Sequence, residues 1–187
     1  MGPPRSTLFL RGFLMRKFNL IAVFVVALSL MAFGVAMAAD EAPAEPTVIG
    51  VGMKATDLQL KNAEGQAVDL ANEMKGKTRV LVFMNTSCSA CKTELTHIQK
   101  ILRSSDAELV VVSVDFGSFD KVQAYKDTNK FGGTWYQDED FNVPAKFGFD
   151  FTPAAVILDG EGKVLYSTGG YNKRNAKKFE AELKKVL

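Results

Sequence analysis

The stretch that decides the fold runs from the apolar segment Val80-Leu81-Val82-Phe83-Met84 to Cys88-Ser89-Ala90-Cys91. The apolar segment does not alternate with polar residues, which predicts a strand covered on both faces, as in a parallel sheet. Residues 92–103 then place apolar side chains three and four positions apart, which predicts an amphipathic helix. A Cys-x-x-Cys pair therefore lies at a strand-to-helix junction, where a disulfide can be made and broken. Since the chain has no third cysteine, the pair closes on itself, holds a partner molecule transiently or stays reduced.

The patterns on either side of this stretch predict further strands and helices. Residues 58–60 and 68–70 alternate between apolar and polar side chains across a polar turn, which predicts a half-buried hairpin before the central strand. Residues 109–114 predict a second buried strand, and apolar residues at helical spacing over 119–125 predict a second helix. Strand, helix, strand and helix in this order imply a βαβ crossover with a parallel strand pair.

The last third of the chain predicts a second hairpin and a closing helix. Residues 154–158 and 164–167 flank the turn Asp159-Gly160-Glu161-Gly162 and predict an antiparallel pair. Residues 175–187 are rich in lysine and place apolar residues on one side of a helix. The phenylalanines between Phe116 and Phe151 are expected to line the core and a pocket, or an apolar rim close to Pro153.

The first 38 residues have the layout of a signal peptide. Arg16 and Lys17 precede an uncharged stretch over residues 18–39, and Ala36-Met37-Ala38 fits the small-x-small cleavage pattern. We therefore expect a signal peptide or an uncleaved membrane anchor at 1–38, a flexible linker at 39–47 and one domain at 48–187. Both interpretations place the domain outside the cytoplasm, because the positive flank stays inside. The predicted location is the periplasm, with an inner-membrane anchor as the alternative.

The charge of the chain gives no indication of a nucleic-acid partner. The whole sequence carries a formal charge of +2. Residues 1–38 contain four basic residues and no acidic one, so the remainder carries a charge of −2. Because nucleic-acid binding requires a basic face that neutralises phosphates, we expect no such partner.

Four segments together resemble the extracytoplasmic thioredoxin-like proteins of the redoxin group, such as those that act in cytochrome c maturation. The segments are residues 76–83, 88–95, 152–153 and 158–164, within a resemblance that covers residues 50–172. It implies an α/β, thioredoxin-like fold, in which helices flank a central mixed β-sheet with an N-terminal β-hairpin. It also implies a thiol–disulfide oxidoreductase.

The chain departs from the pattern of the group close to the cysteines. Ser87 stands where members commonly have tryptophan, and Met84 stands where they often have an aromatic residue. Ser-Ala separates the two cysteines, rather than Gly-Pro or Pro-His. These departures bear on the redox potential and on the partner surface, not on the fold.

The two cysteines are expected to play different catalytic roles. A thiol attacks a disulfide as its thiolate, and Cys88 faces the unpaired N–H groups and the positive dipole end of the first helical turn. Cys91 lies one turn deeper on the same face and is placed to resolve a mixed disulfide by attacking Cys88. The alternatives are a structural disulfide, which gains little from so short a loop, and half of a metal site. A closed zinc site needs four ligands, and the chain offers two cysteines and one histidine.

Glu94, Thr152 and Pro153 are further candidates for the functional site, whereas His97 is not. Glu94 continues the stripe of the cysteines, so we expect it beneath them, where burial would raise its pKa and let it accept the proton of Cys91. The alternative is a solvated glutamate. By the resemblance, Glu94 tunes the thiols, and Thr152-Pro153 is a substrate-binding loop whose proline is cis and lies against the disulfide. His97 is expected to be an ordinary residue on the polar face of the helix.

The leading hypothesis is a periplasmic thiol–disulfide oxidoreductase that exchanges its dithiol or disulfide with cysteines of secreted proteins. The most specific substrate is apocytochrome c, with a membrane redox donor as the second partner, and no metal or other cofactor is expected. One alternative is a thiol peroxidase of the redoxin group, although Asn85 occupies the position where peroxidases usually have Thr or Ser. Another is a copper-binding chaperone module that uses both thiolates as soft ligands, with His97 on the same helix. The direction of electron flow depends on a redox potential that the sequence does not reveal.

Overall fold

The strand before the cysteines lies at the centre of a seven-stranded sheet. This computed structural model describes residues 47–73 and 76–187. In chain order the described residues form β1 (Gln59–Lys61), β2 (Ala67–Asp69), α1 (Leu70–Glu73), β3 (Arg79–Met84), α2 (Ser89–Leu102), β4 (Glu108–Ser113), α3 (Phe119–Asn129), β5 (Thr134–Gln137), α4 (Asn142–Lys146), β6 (Ala154–Leu158), β7 (Val164–Gly169) and α5 (Lys173–Lys184).

The sheet formed by the described residues is mixed, with the order β2-β1-β5-β4-β3-β6-β7. β3 is parallel to β4, and β4 is parallel to β5. β6 is antiparallel to β3, and β7 is antiparallel to β6. The hairpin of β1 and β2 joins the sheet beside β5. The predicted central mixed sheet with an N-terminal hairpin is therefore confirmed.

The unbroken apolar sequence of β3 is explained by helices on both faces of the sheet. All six residues of this strand are buried. Val80 and Val82 pack in a cluster with α2, α3 and α5, whereas Leu81 and Phe83 pack in a second cluster with α1 and α4. Because successive side chains of a strand point to opposite faces, both faces of β3 must be apolar.

Cap residues account for two differences from the predicted helix limits. α2 begins at Ser89 rather than at residue 92, because Cys88 is its N-cap. α5 begins at Lys173 rather than at residue 175, because the side chain of Asn172 accepts hydrogen bonds from the first backbone N–H groups of the helix.

The prediction that Phe116 lines the core or a pocket is wrong, since 78% of this residue is exposed. It follows β4 at the point where the chain leaves the sheet, and no helix or strand of residues 47–73 and 76–187 covers it.

The predicted leader at 1–38 lies outside the described residues, as does the predicted linker at 39–47 except for Thr47. Among the helices of residues 47–73 and 76–187, none is long and apolar enough to cross a membrane.

Candidate active site

The two cysteines lie where β3 ends and α2 begins. Cys88 is joined to Cys91 by a disulfide, and their Cα atoms are 5.2 Å apart. The backbone N–H of Cys91 donates to Sγ of Cys88 at 3.1 Å, which is the contact that an N-cap side chain makes. Cys88 is half-buried, whereas Cys91 is 0% exposed. The sulfur that a partner protein can reach first is therefore that of Cys88.

The start of α2 offers Cys88 an environment that favours negative charge. The first N–H groups of a helix have no partner within the helix, and the helix dipole places partial positive charge at this end. The first turn of α2 contains no acidic residue that would oppose this effect. At such a position a thiolate is favoured over a thiol.

Glu94 lies on the inner face of α2, one turn beyond Cys91. It is 4% exposed, and its Oε2 has no hydrogen-bond partner among the described residues. Burial raises the pKa of Glu94 from its ordinary value near 4.5 to about 7. The position agrees with the expected burial rather than with a solvated glutamate. A carboxyl group with a pKa near 7 can gain or lose a proton at neutral pH with little free-energy change.

Thr152 and Pro153 lie at the same edge of the sheet as the cysteines. The peptide bond between them is cis, as the resemblance implies, and Pro153 is buried. The next residue, Ala154, pairs with Phe83 of β3, one residue before that strand ends. From the other side, the N–H of Gly170 donates to the carbonyl oxygen of Pro153 at 2.8 Å. The structure therefore brings the predicted substrate loop to the strand end that leads to Cys88.

Apolar side chains border this edge of the sheet. Phe151, directly before Thr152, is 48% exposed, whereas Phe149 packs against the ring of Phe83 with 6.1 Å between centroids. The exposed ring of Phe116 follows the neighbouring strand β4. Phe151 is a single exposed ring next to the proline loop, so an apolar rim formed by several phenylalanines stays a prediction.

A buried carboxylate beside the cysteine turn is not singled out by any motif. Asp115 follows β4 and accepts hydrogen bonds from the backbone N–H and the side-chain hydroxyl of Thr86, two residues before Cys88. One feature of the sequence could have indicated this residue: a charged residue follows the buried strand β4. The strand beside β4 is β3, which leads to the cysteines. Polar residues at the carboxyl ends of parallel strands commonly belong to functional sites.

His97 lies on the side of α2 that faces α5, and 27% of its side chain is exposed, so its interpretation as an ordinary polar-face residue stays a prediction. Its Nε2 lies 3.5 Å from Oε2 of Glu180 on α5, and its ring makes an edge contact with Tyr171. These contacts cover most of the imidazole because α2 and α5 lie on the same face of the sheet. In the described part of the chain, no three His, Cys, Asp or Glu side chains are grouped closely enough to hold a metal ion.

The chain is similar to two curated proteins and to many solved structures. It is 26% identical over 140 residues to the thiol-disulfide oxidoreductase ResA of Halalkalibacterium halodurans, an alignment that covers 73% of this chain and 78% of ResA. It is 30% identical over 117 residues to the thioredoxin-like protein YneN of Bacillus subtilis, covering 60% of this chain and 68% of YneN. An uncharacterized thioredoxin-like protein from Porphyromonas gingivalis has a TM-score of 0.61 at 25% identity, covering 75% of this chain and 94% of that chain.

The thioredoxin-like fold and the similarity to ResA identify a thiol–disulfide oxidoreductase, and the structure places a disulfide at the start of α2. Residues 51–167, more than half of the chain, match the AhpC/TSA family. The chain belongs to that family.

Proposed function

We propose that Cys88 and Cys91 are the pair through which the protein exchanges electrons with cysteines of exported proteins. The observation that carries the proposal is the disulfide between a half-buried N-cap cysteine and a fully buried cysteine in the first turn of the same helix. This difference in burial supports a role for Cys88 in the attack on the partner and a role for Cys91 in its release. A disulfide that closes so short a loop adds little stability, which favours a redox role over a structural one.

In the reducing direction, the thiolate of Cys88 attacks one sulfur of the substrate disulfide. That substrate bond breaks, a mixed disulfide forms, and the second substrate cysteine leaves as a thiolate that takes up a proton. Cys91 then loses its proton and attacks Sγ of Cys88, which releases the first substrate cysteine. Two electrons pass to the substrate, which becomes a dithiol, and the protein becomes the disulfide. The same steps in reverse oxidise a substrate dithiol.

Glu94 is proposed to accept the proton of Cys91 before the second step. Cys91 is enclosed by the core, so water is a poor acceptor there, whereas the Glu94 carboxyl lies one turn away on the same face of α2. Its raised pKa, about 7, makes the carboxylate a better base than an exposed glutamate. Oε2 also has no hydrogen-bond partner among the described residues, so it is free to bind a proton.

Thr152 and Pro153 are proposed to hold the substrate beside the disulfide. Their loop lies where β6 begins next to β3, and the exposed ring of Phe151 adjoins it. The backbone of Thr152 pairs with the extended backbone around the substrate cysteine, and Phe151 contacts apolar side chains of that segment. Backbone pairing of this kind accepts many substrate sequences.

The proposed setting is the periplasm. Residues 1–38 direct export to the periplasm as a signal peptide, or they anchor the protein in the inner membrane. Residues 39–47 link them to the domain at 48–187. The most specific substrate that we propose is apocytochrome c, whose two haem-binding cysteines must be reduced before haem attachment. In that role the protein is a reductant, and a membrane redox donor returns it to the dithiol form. The sequence resemblance and the buried Glu94 support this choice.

A trapping experiment tests the proposed roles of the cysteines. We expect Cys91→Ser protein, mixed with an oxidised apocytochrome c, to form a stable mixed disulfide, because the thiol that releases the substrate is missing. The adduct appears on non-reducing gels and disappears with dithiothreitol. The matched Cys88→Ser protein is expected to form no adduct.

Two outcomes would contradict the proposal at different levels. Equal trapping by the two variants, or none by either with any exported thiol protein, would overturn the assigned roles of the cysteines. Trapping of other exported proteins by Cys91→Ser, but not of apocytochrome c, would overturn only the substrate proposal.

A further inference from the structure

We propose that Asp115 is a positioning residue that holds the turn before α2 and thereby keeps Cys88 at the helix start in its reactive orientation. The inference rests on the proposed role of Cys88 as the attacking thiol. It concerns a residue outside the Cys-x-x-Cys segment and outside the proline loop.

Asp115 accepts two hydrogen bonds from the turn before α2. The backbone N–H of Thr86 donates to Oδ2 of Asp115 at 2.8 Å, and the Thr86 hydroxyl donates to Oδ1 at 2.6 Å. Both carboxylate oxygens thus accept a hydrogen bond from the same residue, which restrains the rotation as well as the position of Thr86. Hydrogen bonds to an ionised acceptor are also stronger than those between neutral groups.

The restraint on Thr86 is passed to Cys88 within the same turn. The N–H of Cys88 donates to the carbonyl oxygen of Asn85 at 3.1 Å, and the N–H of Ser87 donates to Oδ1 of Asn85 at 2.9 Å. Only Ser87 separates Thr86 from Cys88, so a shift of Thr86 would change the direction from which Cys88 enters α2. The alignment of the Cys88 sulfur with the N–H of Cys91 depends on that direction.

Asp115 is itself held firmly, so it can act as a fixed support. It is 1% exposed, and it accepts further hydrogen bonds from the hydroxyl of Ser113 at 2.7 Å and from Nζ of Lys121 at 2.8 Å. Its carbonyl oxygen accepts a hydrogen bond from the side chain of Gln137 at 2.7 Å. Burial by itself would raise the pKa of Asp115, but the hydrogen bonds from Lys121, Thr86 and Ser113 hold it below its ordinary value. The group is therefore a carboxylate at neutral pH.

The charge and the position of Asp115 act on the Cys88 thiolate in opposite directions. A nearby negative charge disfavours a second one, so loss of the Asp115 charge alone would increase the thiolate fraction of Cys88. Loss of the positioning would decrease that fraction, because the sulfur would no longer align with the N–H groups of the helix start. The sign of the change therefore separates the proposed role from a simple electrostatic one.

The experiment measures how fast Cys88 is alkylated in a Cys91→Ser background, where only one thiol reacts. The rate constant at pH 7 is divided by the rate constant at a pH where the thiol is fully ionised, and this ratio reports the thiolate fraction. We expect Asp115→Asn and Thr86→Val each to lower the ratio by about three- to tenfold. Thr86→Ser keeps the hydroxyl and is expected to stay within about twofold of the parent.

A charge control and a folding control keep the result interpretable. Asp120→Asn removes an exposed carboxylate at the start of α3 that accepts a hydrogen bond from the Ser118 hydroxyl, so it is expected to leave the ratio unchanged. Thermal unfolding shows whether each variant is folded. If Asp115→Asn does not fold, the matched pair Thr86→Val and Thr86→Ser decides, since neither substitution changes the charge.

The outcomes separate this inference from the proposed function. A ratio that rises or stays constant in folded Asp115→Asn, or one that is equal in Thr86→Val and Thr86→Ser, would overturn the positioning role alone. If the parent protein itself shows the alkylation profile of a free cysteine, Cys88 is not the attacking thiol, and the proposed function is then overturned as well.

Discussion

At the scale of single residues, the surroundings of Glu94 disfavour the charged form of its carboxyl group. Its carboxyl group is buried without a hydrogen-bond partner for Oε2 among the described residues, and its pKa is raised to about 7. An unpaired buried carboxyl group destabilises the folded state when it is charged. Such a residue is more easily explained by a need for proton transfer beside Cys91 than by a contribution to stability.

The raised pKa of Glu94 predicts a specific pH dependence of folding. The folded protein keeps the Glu94 proton up to about pH 7, whereas the unfolded chain loses it near pH 4.5. Stability is therefore lost as the pH rises through this window. We expect the unfolding free energy of the wild type, relative to Glu94→Gln, to fall by about 3 kcal/mol between pH 4 and pH 8. Urea denaturation of the oxidised proteins measures this difference.

The control for this experiment is Glu64→Gln, which changes an exposed glutamate in the turn between β1 and β2. Its difference from the wild type is expected to stay constant over the same pH range. A constant difference for Glu94→Gln as well would show that Glu94 titrates like an exposed side chain.

At the scale of elements, the site depends on how closely β4 and β5 approach each other. Gly133 precedes β5 with a φ of +82°, and a Cβ atom there would lie 2.5 Å from the carbonyl oxygen of Leu109 in β4. Both the backbone conformation and the space thus require glycine. The pairing matters for the site because β4 ends just before Asp115, and β5 supplies Gln137, which bonds to the Asp115 carbonyl oxygen.

Gly133→Ala is expected to destabilise the protein by about 2 kcal/mol or more, since the backbone of β4 cannot move away without breaking its ladder. Chemical denaturation at neutral pH measures the change. The adjacent Gly132→Ala is the matched control, because its Cβ would meet only the side chain of Gln99 at an ordinary 3.7 Å. Similar stabilities for the two variants would show that β4 and β5 are not tightly constrained at this point.

At the scale of the whole molecule, the fold serves more than one thiol chemistry, so the surroundings of the cysteine must distinguish between them. The turn before Cys88 contains Asn85 where thiol peroxidases usually have Thr or Ser. In this protein the Asn85 side chain accepts a hydrogen bond from the N–H of Ser87 and thus shapes the turn. The chain therefore lacks the hydroxyl at the position where a peroxidase would direct it toward peroxide.

We accordingly expect the reduced protein to consume hydrogen peroxide no faster than an equal concentration of free thiolate, because a raised thiolate fraction by itself increases the rate only to that level. The reason is that the side chain at position 85 is an amide and carries no hydroxyl that would activate a peroxide bond. Peroxide loss after mixing with the dithiol form, compared with Cys88→Ser, measures this. Fast turnover that requires Cys88 would favour a thiol peroxidase over the function proposed above.

The fold could be predicted from the sequence to a large extent because its signals are local. The apolar run of β3, the hairpin patterns around residues 62–65 and 159–162, and the helical spacing of α2 each lie within about fifteen residues. Helix starts were less predictable because a single capping side chain, such as Cys88 or Asn172, moves them by two or three residues. The exposure of Phe116 escaped prediction, since hydrophobicity alone does not tell whether a neighbouring element covers a side chain.

By itself, then, the sequence determined the class of fold and the junction that carries the cysteines, whereas the proline loop was indicated only by the resemblance to the redoxin group. Only the tertiary structure decided that Asp115 holds Thr86, 29 residues away, that Glu94 is buried without a partner for one oxygen, and that His97 packs against α5. The reason is physical: short-range patterns encode strands and helices, whereas these contacts depend on the register of β3 against β4 and on how the helices pack on the sheet. Neither the strand register nor the helix packing can be read from any single segment of the chain.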